Sequence, residues 1–214
     1  MMNPKPEPLL LIGAGGHAKV VLDAVLMSGR FEVVGLLDAD PKLRGTHVLG
    51  FPVLGDEGLL EETAYAGCGV IVSIGDNRQR LAVAAQCVPM ERTFAIAIHP
   101  SVIVGRNVEI GEGTVVLGGA VINPGAAIGA HCIVNTSASI DHDCVLGDGV
   151  HVSPGAHIAG GVRIDRAVHI GIGASVLPGL HVGEAAVVGA GAVVVDDVPA
   201  GAVVVGIPAR PAQT

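Results

Sequence analysis

The chain has 214 residues, half of them hydrophobic, with a formal net charge of −8 and a pI near 5.5. That acidic balance, with no cluster of Lys and Arg, argues against a nucleic-acid surface. The length fits one large or two small domains, but an aromatic content of 2% without Trp excludes an ordinary globular core; a narrow interior of stacked Val, Ile and Ala accounts for it.

The run Leu9 to Ile12 is expected to be a buried strand. It is too short, and too soon interrupted by His17 and Lys19, for a signal peptide or a membrane span. Gly13-Ala14-Gly15-Gly16-His17-Ala18 follows, then a helix carrying Val20, Val21, Ala24, Val25 and Leu26. A second strand from Val33 to Leu37 ends in Asp38. This G-x-G-x-x-A turn after a strand, with an acid twenty residues past Ala18, opens a Rossmann-like βαβ unit. Its physical use is to bring backbone N–H groups and a helix N-terminus against phosphate.

Asp40 to Lys42 and Gly50 to Gly55 read as turns around a short extended piece. Val70 to Ile74 is expected to be a strand, Asn77 to Gln86 a helix and Phe94 to Ile98 a strand. An α/β domain over residues 1–97 is one mononucleotide-binding half, whereas a dinucleotide fold needs two. An NAD-binding oxidoreductase is therefore the weaker reading of the glycine motif, and a half-fold holding a nucleotide diphosphate the more economical one.

From Ile98 to Val194, every sixth residue is aliphatic without exception. Two positions before each lies a smaller side chain, among them Val102, Thr114, Ala126, Cys132, Cys144, Ala156, Ala174 and Ala192, with Leu180 the bulky exception. Gly, Asn or Asp often follows the aliphatic, as at Gly111, Asn123, Gly129 and Asp141. A fixed short period with two inward slots predicts a parallel β-helix over residues 98–214. Three short strands close one triangular coil, so residues eighteen apart lie one above another. The Gly, Asn or Asp after each aliphatic is expected to begin the corner, where those residues tolerate unusual backbone angles.

The residue before each aliphatic points outward. One face carries Glu109, Ala127, Val145, Arg163 and His181, a set suited to water. Another carries Val115, Ile133, His151, His169 and Val187, and the third Ile103, Val121, Ser139, His157 and Ser175. The apolar beginnings of these last two faces suggest subunit contact. Of the four cysteines, Cys132 and Cys144 fill the small inward slot, while Cys68 and Cys87 complete a set with no C-x-x-C and no metal spacing. They read as packing residues in a reducing compartment, the cytoplasm.

The segment Asn135 to Cys144 (Asn-Thr-Ser-Ala-Ser-Ile-Asp-His-Asp-Cys) resembles that of hexapeptide-repeat nucleotide-aminosugar N-acetyltransferases of the bacillosamine and perosamine type, and of the related sialic acid O-acetyltransferases. The likeness extends over Gly15-Gly16-His17, Leu37-Asp38, Ile74-Gly75-Asp76-Asn77, Ala97-Ile98-His99-Pro100 and Gly206-Ile207-Pro208. It implies a left-handed β-helix, acetyl-CoA as co-substrate, and a homotrimer with its site between subunits. His142 would be the general base and Asp143, where many relatives carry Glu, the carboxylate that orients it.

By the same resemblance Gly15, Gly16, His17, Asp38 and Gly75 bind the nucleotide sugar. Gly160, stacked over His142, offers an N–H to the thioester carbonyl. His151 reaches in from a neighbouring chain to acetyl-CoA or the sugar, and Ile172, Gly173 and Ala190 line the pantetheine arm, Ala190 replacing a glycine of some relatives. Some hexapeptide trimers bind zinc through a histidine pair five residues apart; no pair among the nine His has that spacing, so no metal is expected. The implied acceptor is a UDP- or GDP-linked 4-amino-4,6-dideoxy sugar for surface glycan synthesis. A sialic acid hydroxyl and a non-catalytic scaffold are the alternatives.

Overall fold

The computed structural model describes residues 5–212, which divide between Pro100 and Ser101 into two compact units. In the first unit, β1 (Glu7–Ile12), β2 (Phe31–Leu37), β3 (His47–Val48), β4 (Phe51–Gly55) and β5 (Gly69–Val72) form a sheet of order β3-β4-β2-β1-β5. All neighbours are parallel except the β3/β4 hairpin. Helix α1 (Gly16–Ser28) joins β1 to β2, and α2 (Asn77–Cys87) follows β5. Leu9 to Ile12 are fully buried, as a central parallel strand covered on both faces requires. Helix α1 buries Ala18, Val21, Leu22 and Val25, an i, i+3, i+4, i+7 stripe, and stops at Gly29 in a left-handed conformation. The extended piece expected before Gly50 is β3, but Gly50 to Gly55, expected to be a turn, is mostly the strand β4, which pairs with β3 as a hairpin and with β2 in parallel. Of the strand expected from Phe94 to Ile98 only Ala97–Ile98 is regular, Phe94 making a single bridge to Val70.

The second unit is a parallel β-helix of two-residue strands. A first face stacks Ile103–Val104, Val121–Ile122, Ser139–Ile140, His157–Ile158, Ser175–Val176 and Val193–Val194. A second stacks Glu109–Ile110, Ala127–Ile128, Val145–Leu146, Arg163–Ile164 and His181–Val182. A third runs from Val115–Val116 through Ile133–Val134, His151–Val152 and His169–Ile170 to Val187–Val188, where Val203–Val205 adds in parallel and Arg210–Pro211 folds back antiparallel. Partners are eighteen apart throughout the repeat, and from Thr114 to Val194 both inward slots are buried except at Leu180, Cys132 and Cys144 included, whereas the first coil is more open, Val104 by 43%. All four cysteines are free thiols.

Two details depart from expectation. The left-handed backbone does not begin at the residue after each aliphatic; it falls three residues past it, as at Asp143 (φ 58°) three past Ile140. Glycine at the earlier slot answers a different constraint, because coils approach closely there: a Cβ on Gly129 would lie 2.7 Å from the Asp148 nitrogen one coil on. Second, Val115 and Ile133 on the third face do not form an exposed strip. They are already buried in the single chain, whereas Ile103 on the first face is 64% exposed.

Candidate functional site

In the first unit, the C-terminal ends of β1, β2 and β5 open onto a cavity of about 450 Å³ lined by Gly13, Gly15, Gly16, His17, Asp38 and Gly75, among others. Ligands of parallel α/β sheets collect at these strand ends. Gly15 caps α1 without a side-chain hydrogen bond, and no acid lies in the first turn. Space is open within 4 Å of where a Cβ would stand on Gly15 or Gly16, so the N–H groups of that turn can meet an anion.

All five nucleotide-site residues expected from the sequence therefore line one cavity, but Asp38 is already engaged. Its Oδ2 accepts from the Ala14 N–H at 2.7 Å and its Oδ1 from the Asp40 N–H at 2.9 Å. The acid at the end of β2 thus shapes the glycine loop. Burial, aided by the nearby Arg80 charge, lowers the His17 pKa to about 4, so the ring meets a ligand as a neutral hydrogen-bonding group.

Arg80 went unnoticed in the sequence. It is fully buried on α2, and its guanidinium donates to the Ile74 and Gly75 carbonyls at 3.0 and 3.1 Å and to Asn77 Oδ1 at 2.9 Å. The Gly75 loop is held from beneath by these bonds. The only signal was an arginine at one of the helix positions that face the sheet.

In the second unit, the corner joining the first face to the second carries His142 and Asp143. Asp143 adopts the left-handed turn conformation, which Asp tolerates, and its Oδ2 lies 2.8 Å from His142 Nδ1. Both side chains are exposed, 61% and 74%. The hydrogen bond to Asp143, followed by the charge of Asp141, raises the His142 pKa above its ordinary value. A carboxylate at Nδ1 selects the tautomer whose Nε2 lone pair is open.

Gly160 lies against that nitrogen: a Cβ there would come within 2.5 Å of Nε2. At neighbouring corners an Asn or Asp side chain caps the equivalent turn N–H, Asn135 for Thr136 and Asp141 for His142, each at 2.8 Å. Ala159 supplies no such cap, and the Gly160 N–H makes no hydrogen bond among the described residues. A backbone donor and an imidazole nitrogen thus share one exposed spot.

Asn123, one coil before Asp141, donates from Nδ2 to Asp141 Oδ1 at 2.9 Å, the atom that also accepts the His142 N–H. The His142 N–H, followed by this bond from Asn123, depresses the Asp141 pKa. The sequence marked Asn123 and Asp141 only as corner residues, although their eighteen-residue separation was the available clue to the bond between them.

His151 is not brought to His142. It lies on the third face, 8% exposed, with Nε2 3.1 Å from Asn135 Nδ2 and its ring edge-on to His169. Ile172, Gly173 and Ala190 stack on the corner joining the third face to the first, all exposed, Ile172 by 62%. Among the described residues no group of three or more His, Cys, Asp or Glu could hold a metal ion, and no helix is long and apolar enough to cross a membrane.

An open cavity at the strand ends of an α/β unit and an exposed His–Asp pair on a hexapeptide β-helix are the features of an acyltransferase of the hexapeptide class. Residues 8–87 match the PglD N-terminal domain family. The acetyltransferase domain of PglB from Neisseria gonorrhoeae FA1090 is 38% identical, with a TM-score of 0.90 over 96% of this chain and 100% of that one. PerB from Caulobacter crescentus, solved with CoA and GDP-perosamine, is 40% identical, with a TM-score of 0.91 over 96% of this chain and 97% of that one. Two further structures of that perosamine N-acetyltransferase carry Asn or Ala in place of one histidine. WeeI from Acinetobacter baumannii AYE is 30% identical, with a TM-score of 0.88 over 95% and 99% of the two chains. No curated protein sequence matches the chain. The chain belongs to the hexapeptide-repeat nucleotide-aminosugar N-acetyltransferases, enzymes with a left-handed β-helix, and is an acetyltransferase.

Proposed function

We propose that the protein moves acetyl from acetyl-CoA to the amino group of a nucleotide-linked 4-amino-4,6-dideoxy sugar, as a cytoplasmic step of surface glycan synthesis. The observation that carries the reading is the 2.8 Å bond between His142 Nδ1 and Asp143, with Nε2 facing the Gly160 backbone. PerB, solved with CoA and GDP-perosamine, supports the choice of substrates.

Gly15, Gly16, His17, Asp38 and Gly75 take the nucleotide part, the glycines by backbone N–H groups and His17 as a neutral polar contact. Asp38 acts by holding the Ala14 loop, and Arg80 by holding Gly75. The amine attacks the thioester carbonyl, forming the C–N bond while His142 Nε2 takes a proton from nitrogen. Asp143 keeps Nδ1 protonated and stabilises the imidazolium that forms. The tetrahedral oxyanion accepts from the Gly160 N–H. Its collapse breaks the C–S bond, and CoA leaves as a thiolate that recovers the proton from His142.

General-base help of this kind contributes about 10²- to 10⁴-fold, with positioning supplying much of the rest. Ile172, Gly173 and Ala190 carry the pantetheine arm along their exposed corner. His151 of a neighbouring chain meets acetyl-CoA or the sugar in a homotrimer whose site lies between subunits, an assembly supported by the exposed Ile103 of the first face.

Thiol release from acetyl-CoA against UDP- and GDP-linked 4-amino sugars tests the reading, with sialic acid as a further acceptor. Release with a nucleotide amino sugar, reduced about 10²-fold or more in His142→Ala without loss of assembly, is the expected result. Full activity in that variant sinks the base assignment, and release with sialic acid alone moves the enzyme to O-acetylation.

A further inference from the structure

The corner that carries His142 stands on a turn of unusual composition. Asn123, Pro124 and Gly125 lie one coil before Asp141, His142 and Asp143, eighteen residues apart position by position. All three act on the corner stacked over them. Asn123 Nδ2 donates to Asp141 Oδ1 at 2.9 Å, and the Pro124 carbonyl accepts the Asp143 N–H at 3.2 Å. Gly125 leaves the room that the Asp143 carboxylate occupies, since a Cβ there would stand 2.7 Å from Oδ1.

Asn123 is available for this bond because of the residue that follows it. At Asn135 and Asp141 the side chain turns back to cap the next N–H, that of Thr136 or His142, at 2.8 Å. Pro124 has no N–H to cap, and its ring fixes the backbone beside it. The Asn123 amide is therefore directed to the next coil, from a stiff base.

The receiving carboxylate bears on the chemistry. Asp141 Oδ1 accepts from both Asn123 and the His142 N–H, so one oxygen ties the lower coil to the backbone of the base. Among the described residues, the charged groups acting on the imidazole are Asp143 and Asp141. The coil above presents Gly160 to the ring, and the coil below presents the uncharged Asn-Pro-Gly turn. Because His142 and Asp143 are both exposed, their placement comes from such bonds between coils more than from packing.

We propose that Asn123 is a positioning residue for acetyl transfer, which acts through Asp141 to fix the backbone at His142 and to keep a negative charge beside the imidazole. The proposal rests on the assignment of His142 as base and adds what holds that base in place. Without Asn123 the Asp141 carboxylate turns toward water. The His142 N–H then loses its cap, and the ring loses part of the charge that favours its protonated form.

Histidine NMR titration and steady-state kinetics on the full-length enzyme test the proposal in Asn123→Ala, Asp141→Asn and the double variant. Loss of a signal in His142→Ala identifies the His142 resonance. In Asn123→Ala the His142 pKa is expected to move down from its raised position, and kcat to fall about tenfold with the KM for both substrates unchanged. In the double variant, Asn123→Ala is expected to add nothing to the effect of Asp141→Asn, because both break one chain of contacts. Thermal melting separates these effects from loss of the fold. An Asn123 that serves the fold alone lowers the melting temperature and leaves the His142 titration in place, which overturns the proposal; so does a double variant in which the two effects add. The titration needs no substrate. Inactivity of the wild-type enzyme toward every nucleotide amino sugar would therefore remove the transferase reading, while the titration still decides whether Asn123 acts on His142.

Discussion

The two units place stability and chemistry differently. In the α/β unit a few large side chains carry the core, Leu9, Leu10, Leu11, Ile12, Leu22 and Leu36 all being fully buried around β1. In the β-helix the interior is spread over many small equivalent rungs, such as Ile140 with Ala138 or Ile158 with Ala156, and each coil meets only its neighbours. The α/β unit builds its ligand cavity from loops at strand ends. The β-helix presents its reacting group at an exposed corner, where the chain departs from the strand and side chains leave the core. A solenoid can thus vary a corner with little cost to its interior, whereas the Gly75 loop depends on a buried Arg80 beneath it.

The largest expected effect tests the concentrated core. Leu11→Ala removes a fully buried side chain of the central strand and is expected to cost about 2–5 kcal/mol. Ile140→Ala, in a fully buried rung of the β-helix, is expected at the lower end of the same range of about 2–5 kcal/mol, because each coil meets only its neighbours. Urea unfolding of both variants checks the contrast, and equal losses would break it.

Gly160→Ala comes next and acts on chemistry alone. The backbone at Gly160 is not left-handed, so alanine is tolerated there, but its Cβ would collide with His142 Nε2 at 2.5 Å. The ring must move, and turnover is expected to fall about 10²-fold with the melting temperature nearly unchanged. Wild-type turnover in this variant would show that the imidazole need not stay against the glycine.

Asp143→Asn has the smallest effect and sharpens the electrostatic half of the comparison. His142 has its pKa raised by Asp143 and Asp141, and a general base works only when deprotonated. The rising limb of kcat/KM against pH therefore lies above the ordinary histidine value. In the variant the limb is expected to move to lower pH, while the maximum falls about tenfold because Nδ1 loses its carboxylate acceptor. A limb that stays in place would assign the shift to Asp141.

Much of the β-helix was legible because its period is geometric. Six residues per face and eighteen per coil put Gly160 over His142, and Cys132 and Cys144 inside, before any coordinate was known. The same arithmetic misjudged the corner: glycine after the aliphatic looked like a residue chosen for its backbone angles, whereas Gly129 answers close contact between coils and the left-handed position lies two residues further on. Nor did it show that Val115 and Ile133 are covered within the chain. Alternation states which way a side chain points and is silent on what lies over it.

In the α/β unit the glycine turn and the acid after β2 were recognisable, and the cavity they line was expected. That Asp38 bonds to the Ala14 N–H, and that Arg80 lies buried under Gly75, depends on how separate segments meet. What the sequence determined by itself was everything that repeats or runs locally: the strand period, the coil stack and the exposed His142-Asp143 corner. Tertiary structure alone decided which polar groups find partners, among them Asn123 with Asp141 and Ser139 with His157. The reason is physical, because a hydrogen bond needs two atoms within about 3 Å, and only the folded chain sets that distance.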